Sequence, residues 1–546
     1  MTDPRWAVAM DRDETLAFIG VVFDREGLSD AGARDITLGP IAALSDGALV
    51  RCVWGNYVAI RRLPGRPGLS VVRDPGGGLA VVVAEAGDSA LAAPCLPRWL
   101  RDAAGIAPPI DTDALAAALA NPLLLTHRSM LHGIHVLPAG HAVDLVGAKP
   151  GRSRALWPPG EILHREAEDP QGPETLRAAV TGCVRALASR HKRLTVELSG
   201  GLDSAIVLGA LASEGRTADL SCVNFAVAHA GGDERSEARA VADRWQARLV
   251  EVTAAAETLR FQDVLCGEQP VEPVLYGLDV TLERASIGVA RAFDASAIFT
   301  GQGGDAVFFN LPTAPVAVDY ARAVGWRALW SRVAYHEAQR SYRSLWHVQG
   351  RILRDRFGGT RRTRYAMPGS QLGRTAVAAG EHDLRHPWLH GDEGMPPARR
   401  MQFEAIANCQ HFYGPTWRSS AAALVHPLLA QPVVEACLAI PAWRLTHGSG
   451  NRALARELFG DWLPEVVRNR RNKGEATNYY RRAIVENLPW LRDFLLGGVL
   501  VAHGLLDGPG IDAALRDTSL IWTDQSRMIA VYASFEAWAR YWGLSS

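Results

Sequence analysis

The sequence predicts an α/β protein with two parts, and three observations lead to this prediction. Residues 1–150 contain short apolar runs separated by Gly, Asp and Pro turns, which is typical of a layered, mostly antiparallel region. From about residue 173, apolar strands alternate with helical patterns, which predicts a doubly wound parallel sheet with extra helices. The 546 residues are 48% hydrophobic and 21% charged, as is ordinary for a globular enzyme.

Composition excludes several classes of function. Lys and Arg together number 58, as do Asp and Glu, so no global charge attracts nucleic acid or an acidic membrane. The seven cysteines are scattered without a CxxC pair, which argues for reduced thiols and against a zinc ribbon. No apolar run is long enough for a membrane span, and the N-terminus lacks the apolar core of a signal peptide. We therefore expect a cytoplasmic protein without nucleic-acid or membrane partners.

The N-terminal part is expected to be built from short strands and tight turns. Strands are predicted at residues 16–23, 48–54, 69–72, 79–84 and 141–145. Two turns stand out, Arg73-Asp-Pro-Gly-Gly77 and Leu137-Pro-Ala-Gly-His141, and each ends or begins one of these strands. In isolation, both are only turn signals.

A strand, a glycine loop and a helix form the centre of the C-terminal part. Residues 194–198 are an apolar run that indicates a buried strand, and the loop Ser199-Gly-Gly-Leu-Asp-Ser204 follows it. An apolar helical pattern then continues to Gly215. A helix that begins directly after such a loop offers backbone N–H groups and a positive dipole end to an anion. Because no Gly-Lys-Ser/Thr follows the loop, it is not a Walker motif.

A second glycine loop is expected at the same edge of the sheet. Further strands are predicted at residues 220–227, 249–252 and 297–300, and the last of them ends in Thr300-Gly-Gln-Gly-Gly-Asp305. Parallel sheets bind ligands at the carboxyl ends of their strands. Asp203 and Asp305 are therefore expected near each other, where two hard oxygen donors suit Mg²⁺ on phosphates.

These motifs together resemble a known family. The Ser199–Ser204 loop resembles the pyrophosphate loop of the N-type ATP pyrophosphatases, which cut ATP between the α and β phosphates. The two N-terminal turns resemble the "RDPLG" and "LPPGH" turns of the glutaminase domain in the asparagine synthetase family, and the Thr300–Asp305 loop is similar to that family's second loop. The resemblance implies an Ntn-type, glutaminase-like domain at 1–150, a linker at 151–172 and an ATP-pyrophosphatase synthetase domain at 173–546.

The chain departs from the family pattern at several positions. The family's glutaminase uses a cysteine at position 2, where this chain has Thr2, so we expect a retained fold without glutaminase chemistry. Thr2 could itself serve as an N-terminal nucleophile, but Pro4 follows closely. Gln302 replaces the family's glutamate and Gly304 its serine, while Ala430 or Gln431 stands where relatives have aspartate. The change at Gln302 argues against aspartate and a small β-lactam precursor as substrates.

The resemblance also implies a set of site residues. Lys473 matches the lysine at the reaction centre of asparagine and β-lactam synthetases, and Gln302 occupies a catalytic position. Asp203 and Asp305 would bind Mg²⁺. The residues that would bind ATP are Leu198, Ser199, Gly200, Gly201, Asp203, Ser204, Val227 and Gly301.

The resemblance, together with a basic segment, predicts a peptide substrate. Residues 313–356 read as helical, and eleven arginines lie between residues 322 and 364 with few acids among them. Family members without glutaminase activity include the lasso-peptide cyclases. We therefore expect a macrolactam synthetase that adenylates an Asp or Glu side chain of a leader-cleaved precursor peptide and joins it to the N-terminal amine. Its expected partners are a leader peptidase and a leader-recognition protein. A β-lactam or carbapenam-type synthetase, an ammonia-dependent asparagine synthetase and a non-catalytic scaffold are the alternatives.

Overall fold

A computed structural model describes twelve stretches of the chain. They are residues 8–25, 36–122, 129–158, 160–163, 172–227, 233–358, 371–379, 386–389, 394–448, 450–470, 477–516 and 525–544. Within these stretches, no helix combines the length and the apolar character that crossing a bilayer requires. All seven cysteines are described and none forms a disulfide, as predicted.

The N-terminal part contains two antiparallel sheets. Its strands are β1 (Val8–Met10), β2 (Leu16–Asp24), β3 (Val53–Arg62), β4 (Leu69–Arg73), β5 (Val82–Ala86), β6 (Ser89–Ala93), β7 (Ile134–Val136), β8 (His141–Val146), β9 (Lys149–Pro150) and β10 (Arg154–Ala155). Its helices are α1 (Leu38–Ala42), α2 (Asp46–Cys52), α3 (Arg98–Ala104) and α4 (Thr112–Ala120). The larger sheet has the order β1-β2-β3-β4-β8-β10, with β9 beside β8, and the smaller sheet has the order β6-β5-β7.

Two of the strands predicted in this part are only partly confirmed. Residues 48–52 of the predicted strand 48–54 belong to helix α2, because Ser45 caps it by accepting a hydrogen bond from the Ala48 N–H at 3.3 Å. Of the predicted strand 79–84, only the part from Val82 onward is a strand. The carbonyl of Leu79 instead accepts a hydrogen bond from Arg73 Nε at 2.7 Å. The strands predicted from Leu16, Leu69 and His141 are confirmed.

The buried Arg73 side chain ties the two N-terminal turns together. Besides Leu79, it donates hydrogen bonds to the carbonyls of Gly77 at 2.9 Å and Leu137 at 2.7 Å. The Asp74 carboxylate accepts from the Gly77 N–H at 2.8 Å. Both charged residues of the first turn thus hold backbone groups in place within the sheet layers.

The C-terminal part is organised around a five-stranded sheet in which every neighbouring pair of strands is parallel. Its strands are β11 (Leu194–Glu197), β12 (Leu220–Val227), β13 (Arg248–Ala254), β14 (Ala297–Thr300) and β15 (Ala423–Val425). The order is β13-β12-β11-β14-β15, so the four predicted strands are confirmed and β15 is added. Strands β11 and β14 are neighbours with Glu197 opposite Thr300, which places the two glycine loops side by side.

Helices cover this sheet and continue beyond it. Their bounds are α5 (Gly160–Leu163), α6 (Gly172–Ala188), α7 (Leu202–Ser213), α8 (Arg235–Arg244), α9 (Gln262–Leu265), α10 (Val280–Ala292), α11 (Gly304–Val307), α12 (Val316–Val324), α13 (Arg332–Arg340), α14 (Leu345–Gly358), α15 (Arg374–Ala379), α16 (Pro397–Asn408), α17 (Trp417–Ala421), α18 (Gln431–Leu438), α19 (Ala442–Leu445), α20 (Ala453–Leu458), α21 (Glu465–Arg468), α22 (Thr477–Glu486), α23 (Leu488–Leu496), α24 (Val499–Ala502), α25 (Gly508–Arg516) and α26 (Gln525–Tyr541). The predicted helical region at 313–356 is confirmed by α12, α13 and α14.

A buried polar network joins the N-terminal part to helix α18. Glu435 accepts hydrogen bonds from Trp157 Nε1 at 2.7 Å and from Gln431 Nε2 at 2.9 Å, and it forms an ion pair with Arg25. Gln431 also donates to the carbonyl of Val50 at 2.9 Å. The residue that stands at or beside the family's aspartate position therefore contributes to contacts between the two parts of the chain. We define the Glu435 network as Arg25, Trp157, Gln431 and Glu435.

Candidate active site

The first glycine loop runs from the end of β11 into α7. Gly200 has a φ of +79°, and a Cβ at this position would lie 2.7 Å from the carbonyl oxygen of Glu234. Ser199 Oγ lies 3.1 Å from Ser204 Oγ and accepts from the Gly201 N–H at 3.2 Å. Glycine is therefore required for the turn, while the two serines close the loop at the N-terminus of α7.

The second glycine loop packs directly against the first. A Cβ on Gly301 would lie 2.5 Å from the backbone nitrogen of Ser204, and a Cβ on Gly304 would lie 2.5 Å from Cγ of Asp203. Real side chains do not approach this closely. The glycine that stands in place of the family's serine at position 304 thus leaves the space that the Asp203 carboxylate fills.

Gly304→Ala is expected to disturb this contact. The added methyl group would displace the Asp203 carboxylate, and overpacking of this kind costs about 1–3 kcal/mol of unfolding free energy. Urea denaturation measures the loss. Gly288→Ala in α10 is the matched control, since a Cβ there meets nothing within 4 Å. Equal stability of the Gly304 variant and the wild type would contradict the steric explanation.

Arg452 joins the two aspartates. Its Nη1 atom donates to Asp203 Oδ2 and to Asp305 Oδ1, each at 2.7 Å, and its side chain is buried. Arg452 has a left-handed backbone, with φ of +55°, immediately before α20. Helix α20 begins only at Ala453, so Arg452 lies just outside it. The predicted proximity of Asp203 and Asp305 is confirmed.

Asp203 and Asp305 together offer too few ligands to hold Mg²⁺ alone, but they suit Mg²⁺ that is also bound by nucleotide phosphates. Both carboxylates reach one nitrogen atom of Arg452, so both face a common position. Within the described stretches, no group of three or more His, Cys, Asp and Glu side chains could hold a metal ion. Mg²⁺ usually binds one or two carboxylates and completes its shell with water and substrate phosphates. Asp203 and Asp305 match that pattern.

The Gln302 side chain lies at the end of β14 and keeps one buried acceptor without a hydrogen bond. Its backbone N–H donates to Thr300 Oγ1 at 3.1 Å, whereas its buried Oε1 accepts no hydrogen bond from the described residues. Thr300 Oγ1 lies 2.7 Å from His426 Nδ1. Burial lowers the pKa of His426 to about 3, so this imidazole is neutral. The end of β14 is thereby held in place beneath Gln302.

A cavity of about 1610 Å³ lies over the first glycine loop. Gly200, Gly201, Gln302 and Arg452 line it, together with residues of the helical region such as Arg340. The other residues expected at ATP or Mg²⁺ do not line this cavity: they are Leu198, Ser199, Asp203, Ser204, Val227 and Asp305. Of these, Leu198, Asp203, Ser204 and Val227 are buried. Gly301 lies against Ser204 instead.

Lys473 lies outside the described residues, so its role stays a prediction. Arg470, three residues before it, and Tyr480, seven residues after it, both line the cavity.

A buried ion cluster that the sequence did not reveal lies in the cavity wall. Arg418 contacts Glu197 Oε2 through Nη1 at 2.6 Å and Glu283 Oε1 through Nε at 2.6 Å. Ser286 Oγ also donates to Glu197 at 2.8 Å. The cluster fixes the residue at the end of β11, just before the first glycine loop. The sequence does contain one indication of this cluster. Glu197 is an acidic residue at the end of a buried strand, and a carboxylate in that position needs a cationic partner.

Comparison with known proteins identifies the family of the larger part of the chain. The family model described as asparagine synthase matches residues 175–540, about two-thirds of the 546 residues. The match includes both glycine loops, Arg452 and Lys473. No curated protein matches the chain.

Proposed function

The chain belongs to the asparagine synthase family, and on this premise we propose that it is a macrolactam synthetase acting on a precursor peptide. Family membership makes it an ATP-dependent ligase. The proposed reaction joins an Asp or Glu side chain of the peptide to the N-terminal amine of the same peptide, as in lasso peptides. Its other products are AMP and pyrophosphate.

The chemistry requires activation, because a carboxylate and an amine at neutral pH form only an ion pair. A carboxylate oxygen attacks the α-phosphorus of ATP, and the bond to the bridging oxygen breaks as pyrophosphate leaves. The amine then attacks the acyl carbon and AMP departs. Backbone N–H groups at the start of α7, with Ser199 and Ser204, are suited to bind the pyrophosphate. Asp203 and Asp305 would hold Mg²⁺, which supplies positive charge to the phosphates.

The size and extent of the cavity are the observation that most favours a peptide substrate. Pockets for small molecules measure about 300–1000 Å³. The cavity of about 1610 Å³ extends from the first glycine loop to Gln339, Arg340 and Tyr342 in the helical region. This volume accommodates more than a nucleotide and a small acid, which supports a substrate of several residues.

An exposed aromatic and basic surface adjoins this cavity. Eight of the seventeen exposed large apolar side chains in the described stretches lie between residues 324 and 357, which indicates a docking surface. They are Val324, Trp326, Trp330, Tyr335, Tyr342, Trp346, Leu353 and Phe357. Arg354 and Arg356 are also exposed here, so the surface suits an extended, acidic peptide. A leader peptidase and a leader-recognition protein are the further partners that we propose.

Mass spectrometry tests the proposal. The enzyme is incubated with ATP, Mg²⁺ and a leader-cleaved precursor peptide that carries a free N-terminus and an internal Asp or Glu. We expect the loss of one water, with AMP as the nucleotide product, and no reaction when the same peptide is N-acetylated. ADP as the main product, or dehydration of a small β-amino acid instead of the peptide, would contradict the proposal.

The chain is also expected not to hydrolyse glutamine, because Thr2 stands where the family's glutaminase has its cysteine. Glutamine should release no glutamate and should not accelerate product formation, as measured by an amino-acid assay. Glutamate release that Thr2→Ala abolishes would show that threonine serves as the nucleophile.

A further inference from the structure

A second cavity, of about 680 Å³, is lined by side chains from both parts of the chain. Val21 of β2, Val82 of β5, Val136 of β7 and Val425 of β15 all contribute to its wall, which is mainly apolar. Neither glycine loop lines it. Pockets for small molecules measure about 300–1000 Å³ and are mostly apolar with a few polar groups. The cavity therefore has the size and the wall of a small-molecule site.

One carboxylate, that of Glu272, lies in this apolar wall. The residue is only partly buried, and both of its carboxylate oxygens keep accessible surface. Neither oxygen accepts a hydrogen bond from a described residue, and no ion pair with a described residue forms. A carboxylate in apolar surroundings is destabilised unless a cation pairs with it. Glu272 thus offers a ligand an unpaired acceptor that the ligand can reach.

The basic groups nearby do not supply this partner. Arg73 acts on Glu272 through its charge, but each of its three side-chain nitrogens donates a hydrogen bond to a backbone carbonyl. Arg190 also lines the cavity and is exposed. Burial lowers the pKa of His191 and of His411 to about 4, so both imidazoles in the wall are neutral. None of these groups pairs with Glu272, which leaves the carboxylate to a ligand.

We propose that this cavity, the Glu272 cavity, binds a small apolar amine whose ammonium group pairs with Glu272. The charged hydrogen bond fixes one end of the ligand, and the apolar wall removes its hydrocarbon part from water. Leu275 and Tyr276 line both this cavity and the larger one over the first glycine loop, so they stand between the two sites. Binding of the amine does not require the proposed macrolactam activity.

Glu272 could instead stay a neutral carboxylic acid, which needs no cation. Burial raises its pKa to about 7, and the charge of Arg73 partly opposes this effect. An ammonium group favours the ionised form, whereas an uncharged ligand does not. Probes that have the same shape and differ in charge therefore separate the two states.

Three probes with one phenyl ring test the site. They are 2-phenylethylamine as the cation, 2-phenylethanol as its uncharged counterpart and 3-phenylpropanoate as an anion. Titrations followed by the NMR signals of each probe measure its dissociation constant at neutral pH. We expect the wild type to bind the amine about tenfold or more tightly than the alcohol, as a charged hydrogen bond provides, and the anion most weakly. In Glu272→Gln the amine should lose this advantage, while the alcohol binds as before.

Two further variants locate the site. Val21→Phe adds an aromatic ring at the cavity wall and should weaken the amine and the alcohol alike. Glu257→Gln, at an exposed glutamate that does not line the cavity, is the matched control and should keep the wild-type preference. The melting temperature of Glu272→Gln should not fall, because no described residue loses a hydrogen-bond partner.

Several results would overturn the amine site. A wild type that binds the amine no better than the alcohol would show that Glu272 is neutral in the complex, and tightest binding of the anion would assign the cavity to Arg73 or Arg190. A preference that survives in Glu272→Gln, or binding that Val21→Phe leaves unchanged, would place the amine elsewhere. A lowered melting temperature of Glu272→Gln would assign the carboxylate to the stability of the fold.

Discussion

Asp203→Asn and Asp305→Asn are each expected to reduce AMP formation by at least about a hundredfold. Both carboxylates lie 2.7 Å from the same nitrogen of Arg452, so they face one position at the edge of the parallel sheet. The amide keeps the shape of each side chain but removes the charge that would hold Mg²⁺ against the phosphates. The loss should therefore fall on adenylation, the first chemical step.

Chromatography of the nucleotide products measures this loss, with the peptide substrate and Mg²⁺ present. Circular dichroism should show an unchanged fold for both variants. Asp243→Asn, at an exposed position of α8, is the matched control and should keep wild-type turnover. Near-normal AMP formation by either site variant would mean that its carboxylate is not a metal ligand.

Lys473→Ala is expected to slow amide closure by more than about a hundredfold, which corresponds to roughly 3 kcal/mol of barrier. The lysine would stabilise the negative charge that develops as the amine attacks the acyl-adenylate. Arg470 and Tyr480, which flank it in the sequence, line the cavity and so support this role. Exchange of labelled pyrophosphate into ATP should persist, because the exchange reports adenylation alone.

The chain offers a sharp control for this variant, because it has only three lysines, Lys149, Lys192 and Lys473. Lys192→Ala, at an exposed position, should leave both the exchange and the closure unchanged. If Lys473→Ala loses exchange as strongly as closure, the lysine serves adenylation rather than amine attack. If it loses neither, it has no role at the reaction centre.

Structural features that depend on residues close together in the sequence, such as strands and glycine loops, were predictable. The strands β11, β12 and β14 follow from apolar runs of the right length, and their shared edge brings Asp203 and Asp305 together. The first five residues of the strand predicted at 48–54 are helical instead, because the cap at Ser45 and the acid at 46 favour a helix there.

The arginines of the site could not be predicted, because their roles depend on distant contacts. Arg452 meets Asp203 across 249 positions, and Arg418 meets Glu197 across 221. A periodic pattern reveals which face of a helix is buried, but it does not reveal which charge that face meets.

The Glu435 network makes the stability of the ligase part depend on the N-terminal part. Removing the N-terminal part would take Arg25 and Trp157 away from Glu435 and expose the face of α18 that they cover. It would also deprive Gln431 of the Val50 carbonyl. Stability of the ligase part then constrains the sequence of the N-terminal part. The residues of the N-terminal part that contact α18 must keep side chains that fit this helix, whatever other role that part has.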